Sequence, residues 1–276
     1  MTIYEWLTSA TAELHEAHTE TARLDSLVLL SNEIGRDKSW ILGHPEHILQ
    51  RSEIKKLSTK ITQRVQHIPL AYIRGYTEFY GREFIVNEHV LVPRPESEAI
   101  IELLKTNIPK IYDGAIIDIG TGSGILGITA ALEFPAAQVY ATDIDPGALT
   151  VARENAAQLH AAITFVSGDL LAAVPHETPI LQNAVLLANL PYVPRDYPIN
   201  TAATHEPSLA IFGGRDGLEL YEKLCAQLAV LNSKPSVVIT ESLCIQHENI
   251  VQLMSAAGYM LQSSDGLAQY FVYSLS

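Results

Sequence analysis

The sequence predicts an α/β protein in which helices cover both faces of a mostly parallel β-sheet, preceded by a small helical domain. From residue 115 onward, short apolar runs rich in β-branched residues alternate with helical patterns, as in β-α-β units. The last two strand-like runs, residues 260–263 and 269–274, have no helix between them, which indicates an antiparallel edge. Residues 3–65 instead carry apolar residues at helical spacing with few strand signals.

The N-terminal region predicts a helical domain over residues 1–75, which we interpret as a substrate-recognition module. Its periodic segments are residues 3–17, 21–34 and 54–65. Residues 76–95 are expected to link this domain to the next one. Alternating apolar residues there predict a short hairpin, with strands at 84–86 and 90–92 and a turn that begins at Asn87.

The C-terminal domain, residues 96–276, continues with regular alternation. Its predicted strands, apart from the two at the edge, are residues 115–119, 138–142, 163–166, 184–189 and 236–241. Its predicted helices are residues 125–134, 146–159, 218–231 and 248–257. Pro135 ends the first of these helices, and Pro146 occupies the first turn of the second, a position that proline favours. A ligand is expected at the carboxyl ends of the parallel strands.

A glycine-rich turn, which we call the glycine loop, follows the first of these strands and consists of Gly120, Thr121, Gly122, Ser123 and Gly124. Its glycines permit a tight turn through which the backbone can approach a ligand closely. Asp143 stands at the end of the next strand, where a carboxylate can bind two ribose hydroxyls. After the following strand, Asp169 or its neighbour Leu170 can approach an adenine. The pattern therefore predicts a cofactor that contains a nucleoside.

Two classes of cofactor fit the glycine loop. Gly122, Gly124 and Gly127 satisfy the G-x-G-x-x-G fingerprint of nicotinamide enzymes. However, the strand ends directly at Gly120, so the pattern in register is G-x-G-x-G. This register favours a methyl donor, S-adenosyl-L-methionine (SAM), over a dinucleotide. A purely structural turn between strand and helix is the third interpretation.

A second turn, which we call the acceptor turn, follows an apolar strand and consists of Asn189, Leu190, Pro191 and Tyr192. It offers hydrogen-bond acceptors and an aromatic face but no nucleophile. The lone pair of an amide or aromatic amine is delocalised, so a catalyst must accept hydrogen bonds from both N–H groups and aim the nitrogen at a methyl group. The Asn189 side-chain oxygen and the Leu190 carbonyl suit that role, and the Tyr192 ring can pack on a flat substrate. The turn predicts nitrogen methylation; an ordinary strand-to-loop turn is the alternative.

The charge distribution indicates the class of partner. The chain of 276 residues has 18 Lys and Arg against 31 Asp and Glu, a net charge of −13. Residues 1–95 hold 11 basic and 12 acidic residues, which leaves 7 against 19 for residues 96–276. A domain of that sign repels phosphate backbones and attracts a basic protein. We therefore expect a protein substrate and no stable binding of nucleic acid.

Several simpler classes of protein do not fit the sequence. No apolar stretch reaches the roughly 18 residues that a membrane span requires, and the first residues lack the basic region of a signal peptide. We therefore expect a cytoplasmic protein. The two cysteines, Cys225 and Cys244, indicate neither a disulfide framework nor a zinc cluster, and no metal is expected.

Several further segments resemble one family. They are PLAYIRG at residues 69–75, EFYG at 78–81, LVPRPESE at 91–98, EPSLA at 206–210 and GGRDG at 213–217. Together with the glycine loop and the acceptor turn, they look like the release-factor glutamine methyltransferases of the HemK/PrmC type, over nearly the whole chain. The most specific parts are Pro-Arg-Pro-Glu and the Glu-Pro to Gly-Gly-x-Asp-Gly segment. The resemblance implies a class I methyltransferase fold with a Rossmann-like sheet.

The resemblance also implies an activity: methyl transfer from SAM to the side-chain nitrogen, N5, of the glutamine in the Gly-Gly-Gln loop of peptide chain release factors. It implies that the glycine loop, Asp143, Leu170 and Asn189 bind the cofactor, and that the acceptor turn is catalytic. Leu190 stands where the family usually has proline, but its carbonyl can still serve. Asn-Leu-Pro-Tyr is also similar to adenine-N6 methyltransferases that act on ribosomal RNA. That activity, glutamine methylation of a ribosomal protein, and a non-catalytic SAM-binding role are the alternatives.

Overall fold

The computed structural model describes residues 1–174 and 179–274 and divides into two compact units. The first unit comprises Met1–Tyr76 together with Ile199–His205. The second comprises Thr77–Pro198 together with Glu206–Ser276. The chain from Thr77 to residue 95, expected to form a separate linker, is part of the second unit. The recognition role assigned to the N-terminal helices stays a prediction.

Five α-helices lie among the described residues of the first unit: α1 (Ile3–Glu16), α2 (Ala22–Ile34), α3 (Lys38–Gly43), α4 (Arg51–Val65) and α5 (Leu70–Arg74). Thr2 caps α1, because its hydroxyl accepts a hydrogen bond from the Glu5 N–H while the Glu5 carboxylate accepts one from the Thr2 N–H. Trp6, Leu14 and Leu29 lie in the buried core between the helices. The three predicted helices are confirmed, whereas α3 and α5 are too short to show a period in the sequence.

The predicted hairpin is wrong in position. The structure pairs β1 (Tyr76–Phe79) with β2 (Arg82–Ile85), joined by Tyr80 and Gly81 with φ of 51° and 71°. Positive φ at both central residues is typical of the tight turns that match the twist of a hairpin. Asn87 does begin a turn, since its carbonyl accepts from the N–H of residue 90 at 3.1 Å, but residues 90–92 form no strand.

The second unit contains a sheet of seven strands among the described residues, in the order β5-β4-β3-β6-β7-β9-β8. The strands are β3 (Ala115–Ile119), β4 (Gln138–Asp143), β5 (Ile163–Ser167), β6 (Val185–Ala188), β7 (Val237–Glu241), β8 (Tyr259–Asp265) and β9 (Ala268–Tyr273). Strands β3 to β7 pair in parallel, and β9 pairs antiparallel with both β7 and β8. The predicted mostly parallel sheet with an antiparallel edge is therefore confirmed.

Helices cover both faces of this sheet. They are α6 (Glu98–Asn107), α7 (Ile125–Glu133), α8 (Pro146–Gln158), α9 (Ser208–Ile211), α10 (Glu219–Val230) and α11 (His247–Ala256). Alternate residues of β3 point to opposite sides: Ile117 joins a core with α10 and α11, and Ile116 joins a core with α6 and α7. Burial on both faces explains why these strands read as continuous apolar runs.

The strand order reverses at β3, which has β4 on one side and β6 on the other. In a sheet of this kind the crevice at the carboxyl ends of the strands, next to such a reversal, is the usual ligand site. The glycine loop leaves β3 there, and the acceptor turn leaves β6 there. Among the described residues, no helix is both long and apolar enough to cross a membrane.

Candidate active site

One cavity in the second unit gathers most of the residues that the sequence predicts as functional. Its lining includes Gly120, Thr121, Gly122, Ser123, Asp143, Leu170, Asn189, Leu190 and Pro191. Two predicted residues, Gly124 and Tyr192, are not among the described residues that line it. Gly124 is the residue before α7, and the Tyr192 hydroxyl points away to Glu241.

The conformation of the glycine loop requires glycine. Gly120, Gly122 and Gly124 have φ of 70°, 54° and 87°, in the left-handed region that side chains with a Cβ rarely adopt. A Cβ on Gly124 would also lie 2.8 Å from the Ile128 side chain. The loop closes on itself, because the Gly124 N–H donates to the Thr121 carbonyl at 2.8 Å. Its N–H groups and the N-terminus of α7 are therefore held beside the cavity.

Asp118 is a buried carboxyl in the middle of the apolar strand β3, and it lines the cavity. Burial raises its pKa from 3.8 to about 6, hydrogen bonds from Thr121 and Gly127 oppose that rise, and the charge of Asp143 adds to it. Sequence reasoning assigned Asp118 no role. The available signal was an acidic residue inside a strand that is otherwise apolar, since a buried carboxyl requires specific partners.

Asp143 joins the end of β4 to the glycine loop. One carboxylate oxygen accepts from the Gly122 N–H at 2.9 Å, and the other accepts from the Asp145 N–H at 2.9 Å. Burial raises the pKa of Asp143, while these two backbone hydrogen bonds lower it. The carboxylate is thus fixed at the cavity wall, as a group that binds hydroxyls must be.

Asp169 and Leu170 also line the cavity. Leu170 has a φ of 54°, a strained conformation for a residue with a branched side chain, and is nevertheless buried. The Asp169 carboxylate forms a salt bridge with Lys223, which also lines the cavity. Both residues that the sequence offered for contact with an adenine therefore lie at the cavity, and that contact stays a prediction.

Hydrogen bonds that involve Tyr221 and Ser97 hold the acceptor turn in place. The Tyr221 hydroxyl is fully buried and lies between the carbonyls of Ala188, at 2.9 Å, and Glu241, while the Leu190 N–H points to it at 3.4 Å. The Asn189 side-chain nitrogen donates to the Ser97 hydroxyl at 2.8 Å. This bond engages the nitrogen of the amide and leaves its oxygen as the acceptor available to the cavity.

The Gly213 to Gly217 segment packs on the backbone of the acceptor turn. A Cβ on Gly213 would lie 2.2 Å from the Pro191 carbonyl oxygen, and one on Gly217 would lie 2.0 Å from that of Tyr192. Both glycines are therefore required by close approach of backbone to backbone. Sequence reasoning used this segment only as a mark of resemblance, because contacts between distant segments are invisible in the sequence.

The Pro-Arg-Pro-Glu and Glu-Pro segments are joined by hydrogen bonds to the Glu206 carboxylate. Glu206 is buried, and its carboxylate accepts from the Val92 N–H at 2.9 Å and from the Arg94 guanidinium at 2.7 Å. Arg94 and Pro207 both line the cavity. This ion pair fixes part of the cavity wall, and removing Arg94 would leave the buried Glu206 carboxylate without its cation, which is costly.

Comparison with known proteins identifies relatives of both units. Residues 5–75 match the family model described as the PrmC N-terminal domain, and residues 99–190 match that of the ribosomal protein L11 methyltransferase (PrmA). A release factor glutamine methyltransferase of Koribacter versatilis is 36% identical over 231 residues, 83% of this chain and 81% of that protein. One of Bacillus cereus is 34% identical over 266 residues, 93% of this chain and 92% of that protein.

Solved structures resemble the fold at lower sequence identity. The catalytic domain of hMettl16, in complex with a MAT2A 3′UTR hairpin, has a TM-score of 0.53 at 14% identity, covering 82% of each chain. The 16S rRNA N2 G1207 methyltransferase RsmC of T. thermophilus, in complex with AdoMet and guanosine, has a TM-score of 0.51 at 14% identity, covering 72% of this chain and 50% of that one. These likenesses show the class I methyltransferase fold.

Proposed function

Because this chain belongs to the release factor glutamine methyltransferase family, we propose that it methylates the side-chain nitrogen, N5, of the glutamine in the Gly-Gly-Gln motif of peptide chain release factors, using SAM. Membership of the family makes the chain a methyltransferase enzyme that acts on glutamine of a release factor. The motif, the nitrogen and the cofactor are the proposed part. The cavity supports the nitrogen and the cofactor, and the resemblance of the sequence to the family supports the motif.

The polar and apolar parts of the cavity suit the corresponding parts of SAM. The N–H groups of the glycine loop and the N-terminus of α7 favour the carboxylate of the methionine portion. Asp143, fixed by two backbone N–H groups, is the acceptor proposed for the ribose hydroxyls. Leu170 provides an apolar contact for the adenine. SAM, when bound, supplies an electrophilic methyl group.

The acceptor turn suits an amide nitrogen. The Asn189 side-chain oxygen and the Leu190 carbonyl are proposed to accept one hydrogen bond from each N–H of the glutamine side chain. Two such bonds would orient the NH2 group and favour the positive charge that develops on nitrogen as it displaces the sulfur of SAM, the leaving group, from the methyl carbon. The methylated nitrogen then loses a proton to water, so no general base is required. The observation that carries the proposal is the Asn189–Ser97 hydrogen bond, which leaves the amide oxygen for the cavity.

Two alternative substrates have some support. The match of residues 99–190 to the ribosomal protein L11 methyltransferase model favours a ribosomal protein. The Asn-Leu-Pro-Tyr sequence of the acceptor turn favours the N6 nitrogen of adenine in RNA. Against RNA stands the charge of residues 96–276, with 7 basic and 19 acidic residues, which disfavours binding of a phosphate backbone. A release factor is consistent with the family and the charge together.

The experiment that tests the proposal is incubation of the protein with methyl-labelled SAM and three separate substrates: a release factor, ribosomal protein and ribosomal RNA. We expect label in the release factor alone. A release factor in which the Gly-Gly-Gln glutamine is replaced by glutamate is the matched control, and it should take up no label. Label in that variant, or in RNA, would contradict the proposal.

A further inference from the structure

We infer that Gln246 is a positioning residue that fixes the carboxyl end of the acceptor turn, because its side-chain amide joins the Tyr192 carbonyl to the Asp216 carbonyl by hydrogen bonds. The inference rests on the proposed function, in which the acceptor turn presents the Leu190 carbonyl to the substrate nitrogen. Gln246 is not among the described residues that line the cavity, so its effect is on the position of the turn.

The fold brings Gln246 to the acceptor turn because β6 and β7 are parallel neighbours. Ala188 of β6 pairs with Thr240 of β7, so the chain leaves both strands at the same edge of the sheet. The acceptor turn follows β6, and a short 3-10 helix, Cys244–Gln246, follows β7 and leads into α11. Gln246 is only 5% exposed, so water competes little for the polar atoms of its side chain.

The polar groups of the Gln246 side chain are all engaged. Its Nε2 atom donates to the Tyr192 carbonyl oxygen at 2.9 Å and to the Asp216 carbonyl oxygen at 2.9 Å. Its Oε1 atom accepts from the Leu243 N–H at 3.0 Å. Turning the amide over would place its oxygen against two carbonyl oxygens and leave buried groups unsatisfied. The network therefore admits one orientation of the side chain, which holds the Tyr192 carbonyl in place.

Gly217 leaves room for this junction. Its φ is 83°, and a Cβ there would lie 2.0 Å from the Tyr192 carbonyl oxygen and 2.5 Å from Gln246 Nε2. Just beyond Tyr192, the Val193 N–H donates to the Ile211 carbonyl at 3.1 Å, so the chain after the turn is paired with the same neighbouring segment. Gln246 therefore completes a closely packed junction between the acceptor turn, the Gly213 to Gly217 segment and the start of α11.

A shift of the Tyr192 carbonyl is expected to reach the proposed acceptor. Only Pro191 lies between Tyr192 and Leu190, and its ring fixes φ, so the three residues should move together. The glycine loop and Asp143 belong to other strands, since the loop follows β3 and Asp143 ends β4. Loss of the Gln246 hydrogen bonds should therefore lower the rate of methyl transfer far more than the affinity for SAM.

The test replaces Gln246 by a side chain of the same size that cannot donate. At about pH 8, Gln246→Glu turns a carboxylate towards the two carbonyl oxygens, which repel it. We expect kcat for a release factor to fall by roughly 10-fold or more, and the Kd for SAM to rise by far less. Gln252→Glu is the matched control, because it makes the same change at an exposed position of α11. It should keep the parent kcat.

A pH profile separates positioning from general damage. Burial and the two carbonyl oxygens should raise the pKa of the introduced carboxyl, and the Leu243 N–H opposes that rise only in part. As the pH falls from about 8 to about 5, the protonated carboxyl regains a donor, so the ratio of variant to parent kcat should rise several-fold. The titratable groups on the surrounding segments are present in both proteins, so the ratio cancels their effect: Tyr192, Asp216, Glu241 and His247.

A second variant, Gln246→Met, removes the donors without adding a charge. It should also slow methyl transfer, but its ratio to the parent kcat should not depend on pH. Parent kcat in Gln246→Met would by itself overturn the inference. A Gln246→Glu enzyme with parent kcat, or one slowed equally at every pH, would overturn it too.

A measurement without substrate keeps this test independent of the proposed function. The introduced carboxyl binds its proton more tightly in the folded state than in the unfolded state, so Gln246→Glu should lose stability as the pH rises. We expect its Tm to lie several degrees below that of the parent at about pH 8 and to approach it at about pH 5. A Tm difference that does not vary with pH would overturn the inference. Failure of the parent to methylate a release factor, with the pH-dependent Tm difference present, would contradict the proposed function alone.

Discussion

The hydroxyl of Thr121 donates a 2.6 Å hydrogen bond to the buried carboxyl of Asp118, and the same carboxyl oxygen accepts from the Gly127 N–H at 2.9 Å. One side chain of β3 therefore holds both the glycine loop and the first turns of α7. These bonds do not fully offset burial, which raises the pKa of Asp118 to about 6. Ionisation of this carboxyl consequently costs folding free energy.

The first prediction concerns that cost. The pKa of Asp118 is raised from 3.8 to about 6, so the folded state binds the proton more tightly than the unfolded state. Stability is therefore lost as the pH rises between these values, by about 3 kcal/mol for a shift of about two units. Asp118→Asn lacks this titration. Its free energy of unfolding, measured by urea titration and compared with that of the parent, should improve by up to that amount from about pH 4 to about pH 7. A difference that does not vary with pH would refute the assignment.

The second prediction concerns the cofactor. Asp143→Ala should weaken SAM binding by roughly 1 to 3 kcal/mol, because a charged acceptor for hydroxyls is lost. Asp143→Asn, which retains one acceptor for the Gly122 or Asp145 N–H, should lose less. Calorimetry is the measurement, and Asp265→Ala, at an exposed position outside the cavity, is the control. Unchanged affinity for SAM, or tight binding of NAD by the parent, would overturn the cofactor assignment.

The third prediction concerns the charge of the partner. If the acidic second unit steers a basic protein, the association rate of a release factor should fall as the salt concentration rises. Binding of ribosomal RNA should stay weak even at low salt. Stopped-flow association across a salt series measures both. Tight, salt-sensitive binding of RNA would instead support the adenine-N6 alternative.

The fourth prediction concerns the close contact beneath the acceptor turn. Gly213 has an ordinary φ, so Gly213→Ala acts through the close approach of the new Cβ to the backbone, 2.2 Å from the Pro191 carbonyl oxygen and 2.6 Å from that of Gly217. Displacement of the turn should lower kcat by on the order of 10-fold or more and lower Tm by several degrees. Gly43→Ala, whose Cβ meets open space, is the control and should change neither. A Gly213→Ala enzyme with parent kcat would show that the position of the turn is unimportant.

The sheet could be predicted from the sequence because each element carries its own signal. The runs at Ile116 and Leu186 are buried on both sides and bounded by turn residues, and the helices between them have a clear period. The helix α6 was missed, as were the short helices. The hairpin was predicted too far along the chain, because Asn87 gives a stronger local turn signal than Tyr80 and Gly81 do. The turn at Tyr80 and Gly81 depends instead on the pairing of the two strands.

The candidate site could be predicted only in its local parts. The glycine loop and acceptor turn are continuous in sequence, so their chemistry can be read directly. The contacts that hold them join residues far apart: Ser97 and Asn189 are 92 positions apart, and Arg94 and Glu206 are 112 apart. Leu190 is a further example. The sequence predicts a role for its carbonyl, but it does not reveal that its side chain is buried against Gly120.

The central claim is that Asn189 presents an acceptor to a glutamine nitrogen. Asn189→Ala removes that acceptor but leaves the Leu190 carbonyl and the glycine loop in place. Leu190→Pro keeps the carbonyl, so it should change the transfer rate little, although the loss of buried apolar surface and of the N–H that points to the Tyr221 hydroxyl should lower stability.

Single-turnover transfer from SAM to a release factor, with the modified residue located by peptide mass spectrometry, is the most direct measurement. We expect the parent to place the methyl group on the Gly-Gly-Gln glutamine. Asn189→Ala should be slower by on the order of 100-fold, and its affinity for SAM should fall far less than its rate. A full-speed Asn189→Ala enzyme, or a methyl group on another type of residue, would contradict the account.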